Sequence, residues 1–171
     1  MSDFSAAYHL KSDNQQDAID LLKKAQVKGY VFEPVNGWTT FVTEAHECKP
    51  TPSVTTHNKG LLLHFDRTSD FLCWGFHIYQ NQIQVGKYSI LSDDGETLKI
   101  IDQVDTASLS LLVDPPQVDI LQNLLHPETI DTAYRHGDYE FAQLVGLTHI
   151  EWVSYSFITR HIEDYAVLIV N

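Results

Sequence analysis

The sequence has few of the residues that build the commonest catalytic and cofactor motifs. Only 8 glycines and 2 cysteines occur in 171 residues, and there is neither a glycine-rich phosphate loop nor a Gly-x-Ser-x-Gly nucleophile elbow. Cys48 and Cys73 form no Cys-x-x-Cys motif, which excludes a zinc knuckle. We therefore predict no metal and no cofactor.

Basic residues are also scarce. Eleven Lys and Arg against 23 Asp and Glu give a formal net charge of −12. Because an acidic surface repels phosphate backbones and anionic lipid headgroups, we predict no nucleic-acid partner and no membrane partner. A basic protein is the partner whose charge complements this chain.

Long apolar runs are absent. Segments such as Ala166–Val170 are far shorter than the ~20 residues that a membrane-spanning helix needs. The first residues resemble no signal peptide, and two cysteines are too few for a disulfide framework, so we expect a reduced, cytoplasmic setting. No repeat or linker divides the chain, and we predict a single domain over residues 1–171.

The first 44 residues predict a strand, a helix and a hairpin. An alternating apolar run begins at Phe4, and Ser12 with Gln15 matches the capping box of the helix that follows. Gly29 is placed to end that helix.

The hairpin signal is the dipeptide Asn36-Gly37, which is typical of a two-residue turn. Such a turn pairs Val31 with Val42 and places Phe32 and Phe41 on one face of the hairpin.

The middle of the chain predicts a meander of strands after an irregular segment at Ala45–Gly60. Gly86 is a candidate for a β-bulge. The predicted strands are Leu61–Asp66, Phe71–Tyr79, Ile83–Ile90 and Thr97–Ile101.

The last third has helical periodicity. One helix starts at Asp114-Pro115, and a second starts at Asp138 and is closed by Gly146. Residues 149–160 fit a helix capped by Thr148 or a strand, and we favour the helix. With Ala166–Val170 as a final buried strand, the pattern predicts an α+β domain. We expect a mainly antiparallel or mixed sheet, with the helix-rich C-terminal third packed on it.

The candidate site comes from the first two strands of the meander. A four-residue loop at Arg67–Asp70 would place His64 opposite Cys73, and alternation would then separate an apolar face from a polar one. The polar face carries the candidate ligand-binding residues His64, Asp66, Cys73, His77 and Tyr79.

Two chemistries are compatible with this face. His64 and Cys73 would stand ~5 Å apart, so that with Asp66 they could hold one ion, although the set is incomplete. His77, four residues from Cys73 and thus ~13 Å along the strand, would be excluded from that ion. Alternatively, Cys73 could be a nucleophile activated by His64.

Three classes of function follow. The absence of catalytic motifs and the acidic charge favour a non-enzymatic domain that binds a protein partner, with no catalytic residue assigned. The alternative is a small hydrolase-like enzyme that uses the His, Asp and Cys residues of the sheet face. The third is a subunit that forms a homo-oligomer through an uncovered sheet face or edge.

Overall fold

The fold is built on one sheet of eight strands, in which each strand runs antiparallel to its neighbours. The structure, a computed structural model, describes residues 4–44, 49–68, 72–92, 97–129, 132 and 137–171. The strand order across the sheet is β7-β6-β5-β4-β1-β3-β2-β8. The strands are β1 (Phe4–Lys11), β2 (Gly29–Phe32), β3 (Trp38–Thr43), β4 (Leu61–Thr68), β5 (Leu72–Gln80), β6 (Ile83–Ser92), β7 (Lys99–Gln103) and β8 (Val167–Val170).

The helices lie mostly in the C-terminal part of the chain, which confirms the predicted α+β architecture. A short 3-10 turn at Ile162–Asp164 precedes β8. The α-helices in the described residues are α1 (Gln15–Ala25), α2 (Pro52–His57), α3 (Thr106–Leu109), α4 (Pro115–Leu124), α5 (Gly137–Val145) and α6 (Tyr155–Arg160).

The sheet buries apolar side chains on both faces. On one face, which we call the α1 face, Tyr8, Phe41 and Leu62 pack with α1 and with Val54 of α2. On the other, the helical face, the side chains of β4, β5 and β6 pack against α3, α4 and α5. Phe76 and Phe141 stack there at 4.4 Å between ring centroids, which joins the sheet to α5.

The ends of α1 differ from those predicted. Asn14 is the N-cap, and its side chain accepts a hydrogen bond from the Gln16 amide, whereas Ser12 bonds to Asn14 and to Asp17.

At its C-terminal end, the helix stops at Gln26, which has a left-handed conformation and lies three residues before Gly29. Gly29 instead belongs to β2, where a Cβ would lie 2.3 Å from the Val42 carbonyl oxygen.

The Asn36-Gly37 turn is confirmed, because both residues have positive φ angles of 54° and 78°. Val35 pairs with Trp38, but Val31 then pairs with Phe41 rather than with Val42.

The β2 side therefore has one residue more than the β3 side between these two pairs. This extra residue falls in the stretch that contains Pro34, which has no N–H for the ladder. Consequently Phe32 and Phe41 pack in different clusters instead of on one face.

Of four remaining features, one agrees with the sequence prediction and three differ from it. The bulge next to Gly86 is confirmed, and α2 lies inside the segment predicted to be irregular. The last predicted helix starts only after Ser154, whose side chain accepts from the Phe157 amide, so Thr148 is not its cap. β8 is an edge strand, with Leu168 48% and Ile169 58% exposed, and is therefore not buried.

Within the described residues, no helix is both long and apolar enough to cross a bilayer.

Two neighbouring residues of α4 test the packing of the helices on the sheet. Leu121 is fully buried, whereas Ile120 is 54% exposed. We expect Leu121→Ala to lower the free energy of unfolding by about 2–5 kcal/mol because it leaves a cavity. Ile120→Ala, the matched control, should change it by less than about 0.5 kcal/mol. Urea denaturation followed by circular dichroism measures both, and equal losses would contradict this packing.

Candidate functional site

The register of β4 against β5 decides which candidate residues meet. His64 pairs with His77, Asp66 with Gly75, and Thr68 with Cys73. The predicted pairing of His64 with Cys73 is therefore wrong by four residues on β5. The cause is the length of β4, which continues through Arg67 and Thr68, two residues that the prediction placed in the loop. Phe71, predicted to oppose Asp66, lies outside the described residues.

The two faces themselves are as predicted, since a shift by an even number of residues keeps each side chain on its face. Leu63, Phe65 and Trp74 are in the core of the helical face. His64 and Tyr79 are on the α1 face, where the His64 ring is edge-on to Tyr8 at 4.7 Å.

The corrected register replaces the predicted trio with a different cluster. The rings of His64 and His77 are 6.1 Å apart, and His64 Nδ1 lies 3.9 Å from Asp66 Oδ1. His77 Nδ1 and the Tyr79 hydroxyl both contact Gln84 Oε1, at 3.0 and 3.1 Å. We call His64, Asp66, His77 and Tyr79 the imidazole cluster.

Cys73 is separated from this cluster. It is half-buried and lies opposite Thr68, four residues and thus ~13 Å along the ladder from His64. Neither the three-ligand set nor the cysteine nucleophile has the geometry that it requires. Within the part of the chain that the structure describes, no group of three or more His, Cys, Asp and Glu side chains could hold a metal ion.

Burial dominates the electrostatics of the imidazole cluster. It raises the pKa of Asp66 to about 7, against a smaller opposing effect of Lys87. It also lowers the pKa of His77, partly offset by the hydrogen bond to Gln84, and raises the pKa of Tyr79. The cluster can therefore hold a proton on a carboxyl group near neutral pH.

A second candidate site lies on the helical face, in an open cleft of about 580 Å³. One wall is the tip of the β2–β3 hairpin, which is docked on the end of α5. The Trp38 indole donates to the Val145 carbonyl at 3.0 Å, and the Asn36 amide donates to the Gly146 carbonyl at 3.2 Å. The polar side chains that line this cleft are Asn36, Tyr139, Gln143, Thr148, His149, Glu151 and Tyr165.

Tyr139 is the best-anchored side chain of the cleft. The Arg67 guanidinium lies 4.7 Å from its ring centroid, and Arg67 Nε donates to Asp138 Oδ2 at 2.5 Å. The Tyr139 hydroxyl donates to Glu151 Oε1, and the pKa of Tyr139 is raised to about 12, by burial first and then by this hydrogen bond. Arg67 is only 5% exposed and thus ties β4 to α5 beside the cleft.

The segment that carries Glu151 has an unusual backbone. Trp152 has a φ of 54°, a left-handed conformation that costs a bulky residue about 1–3 kcal/mol. Its carbonyl accepts a hydrogen bond from the Tyr165 hydroxyl at 3.4 Å. This turn therefore brings Glu151 and Tyr165 to the same cleft.

Sequence reasoning missed this cleft. Tyr139, Glu151 and Tyr165 belong to three separate segments and form no motif, and the sequence predicts Glu151 inside a helix capped by Thr148. The only available signal was Asn36-Gly37, which located one wall but not what packs against it.

Comparison with known proteins adds no family to these observations: no family model, no curated protein and no solved structure matches the chain. The class that fold and site define is an acidic α+β domain with an open, aromatic-lined cleft.

The pKa of Asp66 gives a testable pH dependence. Because the folded value, about 7, exceeds the unfolded value of about 3.9, the folded state binds more protons between these limits. This contribution to stability is present at low pH and is lost as pH rises from about 4 to about 7. Asp66→Asn should remove this pH-dependent loss of stability, because the asparagine side chain does not titrate.

The stability of Asp66→Asn relative to the parent protein should thus grow from pH 4 to pH 7 and then stay constant. The gain is at most about 4 kcal/mol, from 1.36 kcal/mol for each pKa unit. Denaturant unfolding at several pH values measures it, and Asp119→Asn, an exposed carboxylate on α4, is the control. If the stability difference between Asp66→Asn and the parent protein does not change with pH, the raised pKa of Asp66 is contradicted.

Proposed function

We propose that this protein is a non-enzymatic binding domain for a basic protein partner. The supporting observation is the state of its acidic side chains. Every described Asp and Glu except Asp66 and Asp138 is an exposed residue, although the side chain of Asp102, 3.2 Å from His126, is itself only 22% exposed. Between described residues, Arg67 with Asp138 is the only ion pair that involves Lys or Arg. Apart from this pair, no Lys or Arg neutralises the described carboxylates within the described part of the fold, so their negative charge is left available to a partner.

Such a surface increases the rate of encounter with a basic partner and disfavours acidic ones. We keep the reduced, cytoplasmic setting as part of the proposal, on the basis of the low cysteine content. The hydrolase alternative used the His, Asp and Cys residues of the sheet face, and the observed register separates Cys73 from His64.

Salt dependence tests the proposal directly. We expect a ten-residue peptide of alternating Arg and Ser to bind in calorimetry at 50 mM NaCl, with the dissociation constant rising at least tenfold at 300 mM because salt screens exposed charges. A matched peptide of Glu and Ser should not bind. Absence of binding by the basic peptide at 50 mM, or equal affinity at both salt concentrations, would refute the proposal.

The β8 edge supports a second candidate, self-association. β8 contains no charged residue, and the exposed side chains of Leu168 and Ile169 point to opposite faces of the sheet. Uncharged edge strands with exposed apolar side chains favour pairing with another chain. We therefore propose that two copies pair antiparallel along β8.

Light scattering coupled to size-exclusion chromatography should then give the mass of a dimer. Ile169→Lys should give the mass of a monomer, because it places charge on the shared edge. Ile83→Lys, at an exposed position of β6, should leave the dimer intact. A monomeric parent protein at 100 µM would exclude this candidate.

A further inference from the structure

The cleft on the helical face has walls of aromatic rings. His149 stacks on Phe32 with ring centroids 4.3 Å apart, and Tyr165 meets the same Phe32 edge-on at 6.1 Å. Tyr139 provides the ring on the α5 side. Buried apolar side chains, among them Ala142 and Val153, line the space between them. A ligand in this cleft would therefore contact the faces or edges of rings in addition to the polar side chains of the lining.

One carboxylate is held at this cleft. Glu151 is exposed, and its Oε1 accepts the hydrogen bond from the Tyr139 hydroxyl. Its Oε2 has no hydrogen-bond partner among the residues that the structure describes. Tyr139 is itself fixed by the stacked Arg67, so the carboxylate is oriented before any ligand arrives.

Among the described residues that line the cleft, no exposed cation competes for this carboxylate. Burial lowers the pKa of His149, which keeps this imidazole neutral at pH 7. Arg67 is buried behind Tyr139, and its charge is balanced by Asp138. The described lining therefore presents a net negative charge to a ligand.

An oriented carboxylate between aromatic rings matches the chemistry of a guanidinium group. A guanidinium is planar, donates two parallel hydrogen bonds to a carboxylate and stacks on aromatic faces. The molecule already shows half of this arrangement, since Arg67 stacks on Tyr139. A lysine ammonium is more strongly hydrated and lacks the planar fork.

We propose that the cleft binds an arginine side chain of the basic partner, with Glu151 pairing with the guanidinium and with Tyr139, His149 and Tyr165 enclosing it. This inference rests on the proposed binding function and assigns a site and a residue type to it. Charge attraction brings the partner to the surface, and the cleft selects arginine.

The test is a titration of ¹⁵N-labelled protein by NMR with N-acetyl-arginine methylamide. The neutral isostere N-acetyl-citrulline methylamide and the lysine analogue are the comparison probes. We expect the arginine probe to shift the amide signals of residues 149–152 and Tyr139, and to bind at least fivefold more tightly than the other two. Equal affinity for citrulline or for lysine would overturn the assignment.

Two substitutions that each remove one negative charge test whether Glu151 forms the site. Glu151→Gln should weaken arginine binding at least fivefold. Glu140→Gln, next to Tyr139 but outside the cleft lining, should change it less than twofold. Tyr139→Phe keeps the ring and removes the hydroxyl that orients Glu151, and should weaken binding at least twofold. Amide spectra without probe verify that each variant is folded, and equal effects of the Gln substitutions would refute the role of Glu151.

The outcomes separate this inference from the function on which it rests. If the Arg-Ser peptide binds with salt dependence but Glu151→Gln and Glu140→Gln bind it equally well, the cleft assignment fails and the proposed function stands. If neither the peptide nor the arginine probe binds, both fail. If the arginine probe binds in the cleft but the Arg-Ser peptide does not bind, the proposal of a basic protein partner is refuted.

Discussion

The sheet depends on β1, which is first in the chain and lies in the middle of the strand order. β1 pairs with β3 on one side and with β4 on the other, and it is buried along almost its whole length. The strands β3, β2 and β8 reach the meander of β4 to β7 only through it. Removing this strand would leave two small sheets, each with a new unpaired edge.

The side chain of Tyr8 contacts both strands that flank β1. Its ring stacks on Phe41 of β3 at 5.0 Å and meets His64 of β4 at 4.7 Å. Its hydroxyl accepts a hydrogen bond from the Thr51 amide at 2.6 Å, at the start of α2. On the opposite face, His9 contacts Thr40 Oγ1 at 3.0 Å, and burial lowers the pKa of His9 to about 3. Both faces of the central strand are thus linked to its neighbours by specific polar and aromatic contacts.

The same strand also helps to shape the cleft. The Ala6 amide donates to the Val153 carbonyl at 2.8 Å, and the Val153 amide donates to Ser5 Oγ at 3.2 Å. These bonds anchor Val153 directly after Glu151 and Trp152, and Ser154, the extended N-cap of α6, follows it. A contact between residues almost the whole chain apart therefore fixes the segment that joins the cleft to α6. Local helix-capping patterns contain no information about it.

The part of the fold that could be predicted is the part that local rules control. Strand alternation grouped His64 with Asp66 and His77 with Tyr79. The two pairs were correctly placed on one face because the error in the predicted register was an even number of residues. The partner of His64 required the length of the connection between β4 and β5, which alternation does not determine. The Asn36-Gly37 turn was predictable for the same local reason, whereas the bulge beyond it depends on how β2 and β3 pack. The cleft joins a hairpin tip, the end of α5 and a strained turn, so only tertiary structure reveals it.

Backbone nuclear Overhauser effects in the folded protein test this account most directly, because they report strand pairing without any substitution. We expect contacts from Tyr8 to both Phe41 and His64, and from His64 to His77. Contacts from His64 to Cys73, or from Tyr8 to only one neighbouring strand, would contradict it.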